Sequence, residues 1–334
     1  MRPRRIHILF LIVLMAALSA AGCTEPEEEA FSITEVQRWS LDPKTASFLN
    51  DMQRAYGQET YDVALALADS AARYAPYLAD IPFLRGLIFS KLNRFDEAQA
   101  AYERVLELDP AYRSAWFNLG HNAFLQGQYR DALGFYQKEA ATLDTSPEAS
   151  PLLLQIGRAY ARLGVPDSAR RAYEQALAAD SANAQAYHWL SELDAQAGEL
   201  AQALDHARRA LRLNPDHPEY RYGVGGLLFR TGAVEEAVGH LEAVVRQQPW
   251  HAGAHYNLGR ALMTLGRRDE AQSYLKKADR LQSLNADIAL AQLATFQYPM
   301  DPNRWAQLAA LLGQAGRRDE ARQAASVVQT LRSR

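Results

Sequence analysis

The sequence is nearly devoid of cysteine. Cys23 is the single one in 334 residues, which excludes an internal disulfide framework and any all-cysteine metal site. Charge of one sign is also missing. Against 36 basic side chains stand 39 acidic ones, a formal charge of -3, and this balance gives no global case for nucleic-acid binding. Glycine and proline number 19 and 14, too few for a low-complexity chain. Long apolar runs are absent too. The stretch IHILFLIVLMAAL near the start has thirteen residues, about 20 Å of helix, too short for a hydrocarbon layer of about 30 Å. What remains, 48% hydrophobic and 22% charged residues, is the composition of a folded protein.

The first 22 residues stand apart. MRPRR carries three arginines, the apolar run follows, and SAAG leads into Cys23. A basic start, a short apolar core and small residues define a secretory signal peptide over residues 1–22. Ala20-Ala21-Gly22-Cys23 resembles a bacterial lipobox, although Ala20 stands where leucine is commonest. The resemblance implies cleavage before Cys23 and acylation of its thiol and new amino group. Several acyl chains on one residue anchor firmly, where one chain is marginal. The mature chain would carry 33 basic and 39 acidic side chains. Residues 23–30, beginning with TEPEEE behind the cysteine, read as an acidic, solvated tether. Thr24 favours the outer membrane over the inner, facing the periplasm. The acidic tether also suits display on the cell surface. Residues 31–44 hold Trp39 and Pro43 with weak periodicity and read as a cap segment.

The rest of the chain repeats. AWFNLG at 115–120 returns as AHYNLG at 254–259, 139 residues on, which is four periods of 34 plus a three-residue insertion. A period of 34 with Trp, Leu-Gly, then Ala and a large residue four later is the pattern of tetratricopeptide helix–turn–helix units. Trp116, Leu119, Gly120, Ala132 and Tyr136 fit it, and the chain resembles a tetratricopeptide repeat (TPR) protein. Repeats are assigned to 45–78, 79–112, 113–146, 150–183, 184–217, 218–251, 252–285 and 302–334, with an insertion at 286–301. Position 20 is alanine in all eight: Ala64, Ala98, Ala132, Ala169, Ala203, Ala237, Ala271 and Ala321. A methyl there lets two helices approach closely, and the residue at position 24 fills the space beside it. Position 24 holds Tyr102, Tyr136, Tyr173, Leu241 and Leu275, but Ala68, Ala207 and Ala325 in the others. Glycine or Asn93 at position 15 suits the left-handed residue that ends a first helix. The insertion reads either as an elongation of the preceding helix or as one extra helix.

The resemblance implies an all-α, right-handed superhelical solenoid of about eight repeats whose concave face is lined by first helices. On that face the pattern places a ladder of aromatic and basic side chains: Phe83, Lys91, Phe117, Phe124, Arg158, Arg162, Tyr222, Phe229, Arg230, Tyr256 and Arg260. The lysine–asparagine carboxylate clamp of some family members is missing, since Phe83 and Leu87, or Tyr222 and Gly226, stand where its first residues belong. His251 and His255 have metal-like spacing but no third ligand nearby in sequence. The acidic pairs before each position-20 alanine recur at one repeat position and read as helix-start residues. YGVGGLL lies within a first helix, not after a strand, which argues against a phosphate loop. No cofactor, metal or catalytic residue is expected. The expectation is a lipid-anchored scaffold of a bacterial cell envelope, not an enzyme. It would bind a protein or peptide partner of acidic character and meet the membrane through its acyl chains. Similar lipoproteins serve envelope-complex assembly. A glycan or peptidoglycan-binding module, using the groove aromatics as stacking platforms, is the alternative.

Overall fold

A computed structural model describes residues 43–58, 60–141 and 147–333. Cys23 and the signal-peptide, tether and most of the cap assignments lie outside these residues. Sixteen α-helices and no strands occur among the described residues. They fall into two compact units, divided between Ser181 and Ala182.

The first unit holds α1 (Pro43–Gly57), α2 (Tyr61–Tyr74), α3 (Asp80–Lys91), α4 (Phe95–Leu108), α5 (Ala115–Leu125), α6 (Tyr129–Ala140), α7 (Ala149–Arg162) and α8 (Pro166–Ala179). The second holds α9 (Ala184–Ala197), α10 (Leu200–Leu213), α11 (Pro218–Thr231), α12 (Val234–Gln247), α13 (Ala252–Thr264), α14 (Arg268–Gln297), α15 (Pro302–Ala315) and α16 (Arg318–Ser333). In each unit every helix packs on the next, giving four hairpins. First helices also touch across repeats, α1–α3–α5–α7 in one unit and α9–α11–α13 in the other. Each unit therefore presents a layer of first helices.

Turn chemistry sets the hairpins. Gly127, Gly164, Gly198, Gly232, Gly266 and Gly316 take φ between 73° and 90°, and Asn93 takes 55°. These left-handed residues stop each first helix and free the chain to reverse. Position 20 then brings the helices together. Seven of its alanines, Ala64 through Ala271, are 0% exposed, and Ala321 in the last hairpin is half-buried. Opposite them, position 8 supplies glycine. A methyl added to Gly86, Gly120 or Gly157 would stand 2.4, 2.5 or 2.3 Å from the ring of Tyr102, Tyr136 or Tyr173. In the second unit Gly225 faces Leu241 and Gly259 faces Leu275 in the same way, at 2.9 and 2.7 Å.

Two local features need separate causes. Ser114 has φ of 67°, unusual for serine, and the buried Glu139 holds it there. One carboxylate oxygen accepts from the Ser114 N–H at 2.8 Å, the other from Phe117 N–H at 3.2 Å. The carboxylate thus caps the amino end of α5, where negative charge is favoured. The segment 286–297 continues α14, a helix of 30 residues. Leu284, Ile288, Ala291 and Thr295 follow helical spacing and are buried, the first three against Leu308, Leu312 and Ala315 of α15. The extension supplies the core on which the last hairpin closes.

The glycine–ring contact predicts opposite signs for one substitution at two sites. Gly120→Ala should destabilise by about 1–3 kcal/mol through overpacking against Tyr136. Gly134→Ala, with nothing within 4 Å of the added methyl, should stabilise α6 by about 0.5–1 kcal/mol. Urea unfolding of the two variants reads both signs.

Candidate functional site

The first-helix layer of the second unit encloses a cavity of about 470 Å³. Helix α9 contributes His188, Trp189 and Glu192, and α11 contributes Glu219, Tyr222, Phe229 and Arg230. His251, Asn257 and Arg260 close it from α13 and the residue before it. The hollow exists because α11 carries no side chain at two places on this face. A methyl on Gly223 would meet nothing within 4 Å, and one on Gly226 only Asn257 Nδ2 at 3.8 Å. Gly225 between them is the packing glycine opposite Leu241.

The walls are held by polar contacts. Asn257 Nδ2 donates to the Tyr222 hydroxyl at 3.1 Å, and that hydroxyl needs Gly253, where a methyl would stand 2.8 Å away. His251 accepts at Nδ1 from the Ala254 N–H at 3.0 Å, which caps α13. Its Nε2, carrying the proton, lies 3.4 Å from Glu219. Arg230 donates to the Ala195 carbonyl at 3.0 Å. Burial holds the His188 pKa at about 4, so the ring is neutral at physiological pH. Burial also raises the Glu192 carboxyl above its ordinary range, with Arg230 opposing and Glu219 reinforcing the shift. Glu192 makes no hydrogen bond among the described residues.

An arginine stacked on a phenylalanine occurs in both units. The Arg158 guanidinium lies 5.0 Å from the Phe124 ring centre, and Arg260 lies 5.0 Å from that of Phe229 and 5.7 Å from Tyr256. Each pair joins position 12 of one repeat to position 9 of the next. Among the described residues no carboxylate pairs with Arg162 or Arg260. The remaining groove residues divide. Phe117 is half-buried on Tyr136, Tyr256 is 47% exposed, and Lys91 and Arg162 are exposed. Phe83 and Phe124 are corrections to the ladder. Both are buried, Phe83 under Tyr102 and Tyr112 and Phe124 against Tyr129. They serve the core, and Phe124 also seats Arg158. Sequence reasoning passed over Glu192 and Asn257 as site residues, and over the hollow at Gly223 and Gly226. The signal was available, since glycine at position 8 has a packing partner and glycine at positions 6 and 9 has none.

A second cavity of about 530 Å³ lies among α2, α3 and α4. Its arginines are already engaged, Arg85 with Asp69 at 2.7 Å and Arg94 with Glu97 at 2.6 Å, and Arg104 pairs with Glu107 at 2.7 Å. Size favours it slightly, but charge availability favours the cavity of α9, α11 and α13. The acidic pairs are structural, as at Arg267–Glu270 and Arg94–Glu97, each 2.6 Å. His255 is buried with Nε2 on the Pro249 carbonyl at 3.0 Å. Among the described residues no three His, Cys, Asp or Glu side chains form a metal-holding group, and no helix is long and apolar enough to cross a membrane.

Two tetratricopeptide repeat models match the chain, one over residues 83–148, 154–211 and 192–249, the other over 228–294. The chain belongs to the tetratricopeptide repeat family. Similar proteins include the probable biofilm formation methyltransferase WspC of Pseudomonas putida, 39% identical over 84 residues, 25% of this chain and 20% of that protein. The chain thus spans about a fifth of that relative's length. Among solved structures, MamA is 26% identical with a TM-score of 0.44, covering 50% of this chain and 96% of its own. The Cut9–Hcn1 hetero-tetramer of the APC/C is 16% identical with a TM-score of 0.49, covering 90% of this chain and 54% of its own. Solenoids of such repeats present extended surfaces on which protein or peptide partners bind.

The neutral His188 has a measurable consequence. Its folded pKa lies below the unfolded value, so between pH 6.5 and about 4 the unfolded chain takes the proton and the folded one does not. Stability is therefore lost as pH falls through that window. Glu192, shifted upward, acts in the opposite sense, so the comparison is with His188→Gln. Wild type should lose on the order of 2 kcal/mol more than this variant between pH 7 and 4 in urea unfolding. Parallel pH profiles would contradict the lowered pKa of His188.

Proposed function

We propose that the chain is a lipid-anchored scaffold of a bacterial cell envelope whose first-helix face holds an acidic segment of a partner protein. Its role is binding rather than catalysis. The observation that carries the reading is the set of groove arginines. Arg158 and Arg260 are each stacked on an aromatic ring, and no carboxylate of the described residues pairs with Arg162 or Arg260. At Arg260 stacking fixes the guanidinium plane and leaves its edge available for a bidentate carboxylate, while Arg158 also donates to Gln155 Oε1 at 2.8 Å. Many surface arginines elsewhere are spent on intramolecular pairs, including Arg208–Glu236 at 2.9 Å and Arg267–Glu270 at 2.6 Å. Within each unit, a cation of the first-helix layer without a carboxylate partner among the described residues, Arg162 in one and Arg260 in the other, attracts an acidic partner to that layer. The basic start, short apolar core and Cys23 support anchoring through acyl chains at the outer membrane.

Two experiments test the reading. Cys23→Ser should abolish lipid attachment and shift the protein from the membrane fraction to the soluble one. A wild-type protein that carries no lipid in mass spectrometry would remove the anchor. Arg158→Glu combined with Arg162→Glu should leave the fold intact and lower partner affinity by about tenfold or more. Wild-type binding should weaken as salt rises. A folded double variant with unchanged affinity would send the search to another face.

A further inference from the structure

The hollow over Gly223 and Gly226 has no packing explanation. Each helix-interior glycine costs roughly 1 kcal/mol relative to alanine. At Gly225 that cost is forced by Leu241, but an alanine at 223 would find open space and one at 226 only an ordinary contact with Asn257 at 3.8 Å. Both glycines share one face of α11, three residues apart, and bare a strip of backbone between Tyr222 and Phe229. Rings border this strip, with Tyr222 and Phe229 on α11 itself and His188 and Trp189 on α9. Glu192 stands at the same wall without a hydrogen-bond partner among the described residues. Arg230 and Arg260 lie at the carboxyl end of the hollow.

We infer that this hollow is a specificity pocket for a tryptophan or tyrosine side chain of the partner, with a neighbouring acidic residue of the partner on Arg260. The inference rests on the acidic-segment reading above and deepens it. A planar ring fits a glycine floor between aromatic walls, where offset or edge-on contacts are favourable. A ring that enters a partly desolvated site needs a partner for its polar atom, and the Glu192 carboxylate on the wall can accept from it. The indole N–H or phenol O–H supplies that donor. Phenylalanine and leucine would fill the space without the hydrogen bond and displace water from the carboxylate. Arg260, already oriented by Phe229 and Tyr256, receives the adjacent carboxylate.

The test uses the full chain in detergent at low salt and fluorescein-labelled decapeptides of alternating Glu and Gly with one central residue. Peptides with Trp or Tyr at the centre should bind about tenfold tighter than those with Phe or Leu, the discrimination a missing hydrogen bond produces. Gly223→Ala with Gly226→Ala should raise the thermal midpoint by a few degrees and erase the preference, so a fold defect cannot explain the loss. Glu192→Leu should erase the preference of Trp and Tyr over Phe, and Glu192→Gln, which still accepts, should keep most of it. Retention of the tenfold preference in the double-alanine or Glu192→Leu variant would overturn the pocket. Equal binding of all four peptides, lost in Arg260→Glu, would overturn the pocket and leave the acidic-segment reading standing. If no peptide binds, both fall. If N-acetylglucosamine hexamer binds wild type and not the double-alanine variant, the hollow is a glycan site and the inference is wrong.

Discussion

A glycine on each first helix, set against a large side chain on the second, governs how closely the two helices of a repeat can approach. The contact is tight enough that no Cβ fits at Gly86, Gly120 or Gly157 while the facing tyrosine keeps its place. Position-20 alanines complete the approach from the other side. In the three repeats with a small position 24, position 8 is not glycine but Met52, Ser191 or Ala309. Met52 faces the repeat of Ala68, and Ser191 that of Ala207, and all four are buried. The Ser191 hydroxyl donates to the Ala203 carbonyl at 2.8 Å. In the first repeat the two positions trade volume, Met52 against Ala68, as close packing requires. With the approach set, each hairpin presents its first helix to the neighbouring first helices, and the binding layer follows.

This constraint also explains how legible the fold was. Alanine at position 20 and glycine at position 15 recur at fixed spacing, so repeat count and turn positions could be read from the chain. The exchange between positions 8 and 24 was half visible, because Ala68 looked like an exception until Met52 was seen beside it. The path of residues 286–297 was not decided by composition, since an extended helix and a separate helix use the same helix-forming residues. Contact with Leu308 and Leu312 shows which one forms, and those partners lie downstream of the insertion.

The site was less legible, for a related reason. Repeat register says which residues lie on the first-helix face, but not how deep each sits. Phe83 and Phe124 share the register of exposed anchors, yet neighbouring tyrosines cover them. Arg158 and Arg260 stand on the predicted face, but their stacking on a ring from the preceding repeat depends on the offset between repeats. Glu192 and Glu219 had no place in the predicted ladder. In the structure they share one cavity with Arg230 and Arg260, so the surface is charge-balanced there and directional, not uniformly basic.

Directionality distinguishes a recognition surface from a charged one. A uniform field of arginines attracts any anion and is screened by salt. A face with a stacked guanidinium at one end, a partly desolvated carboxylate on its wall and bare backbone between them demands a particular order of groups from its ligand. The means are inexpensive in sequence terms. Two glycines open the floor, one more at Gly253 admits the Tyr222 hydroxyl, and a phenylalanine at position 12 orients the next repeat's arginine. None of these residues disturbs positions 8, 15, 20 or 24, which carry the hairpin. The repeat therefore divides its positions between two tasks. One set fixes the distance between helices, and the other can vary from repeat to repeat without loosening the stack.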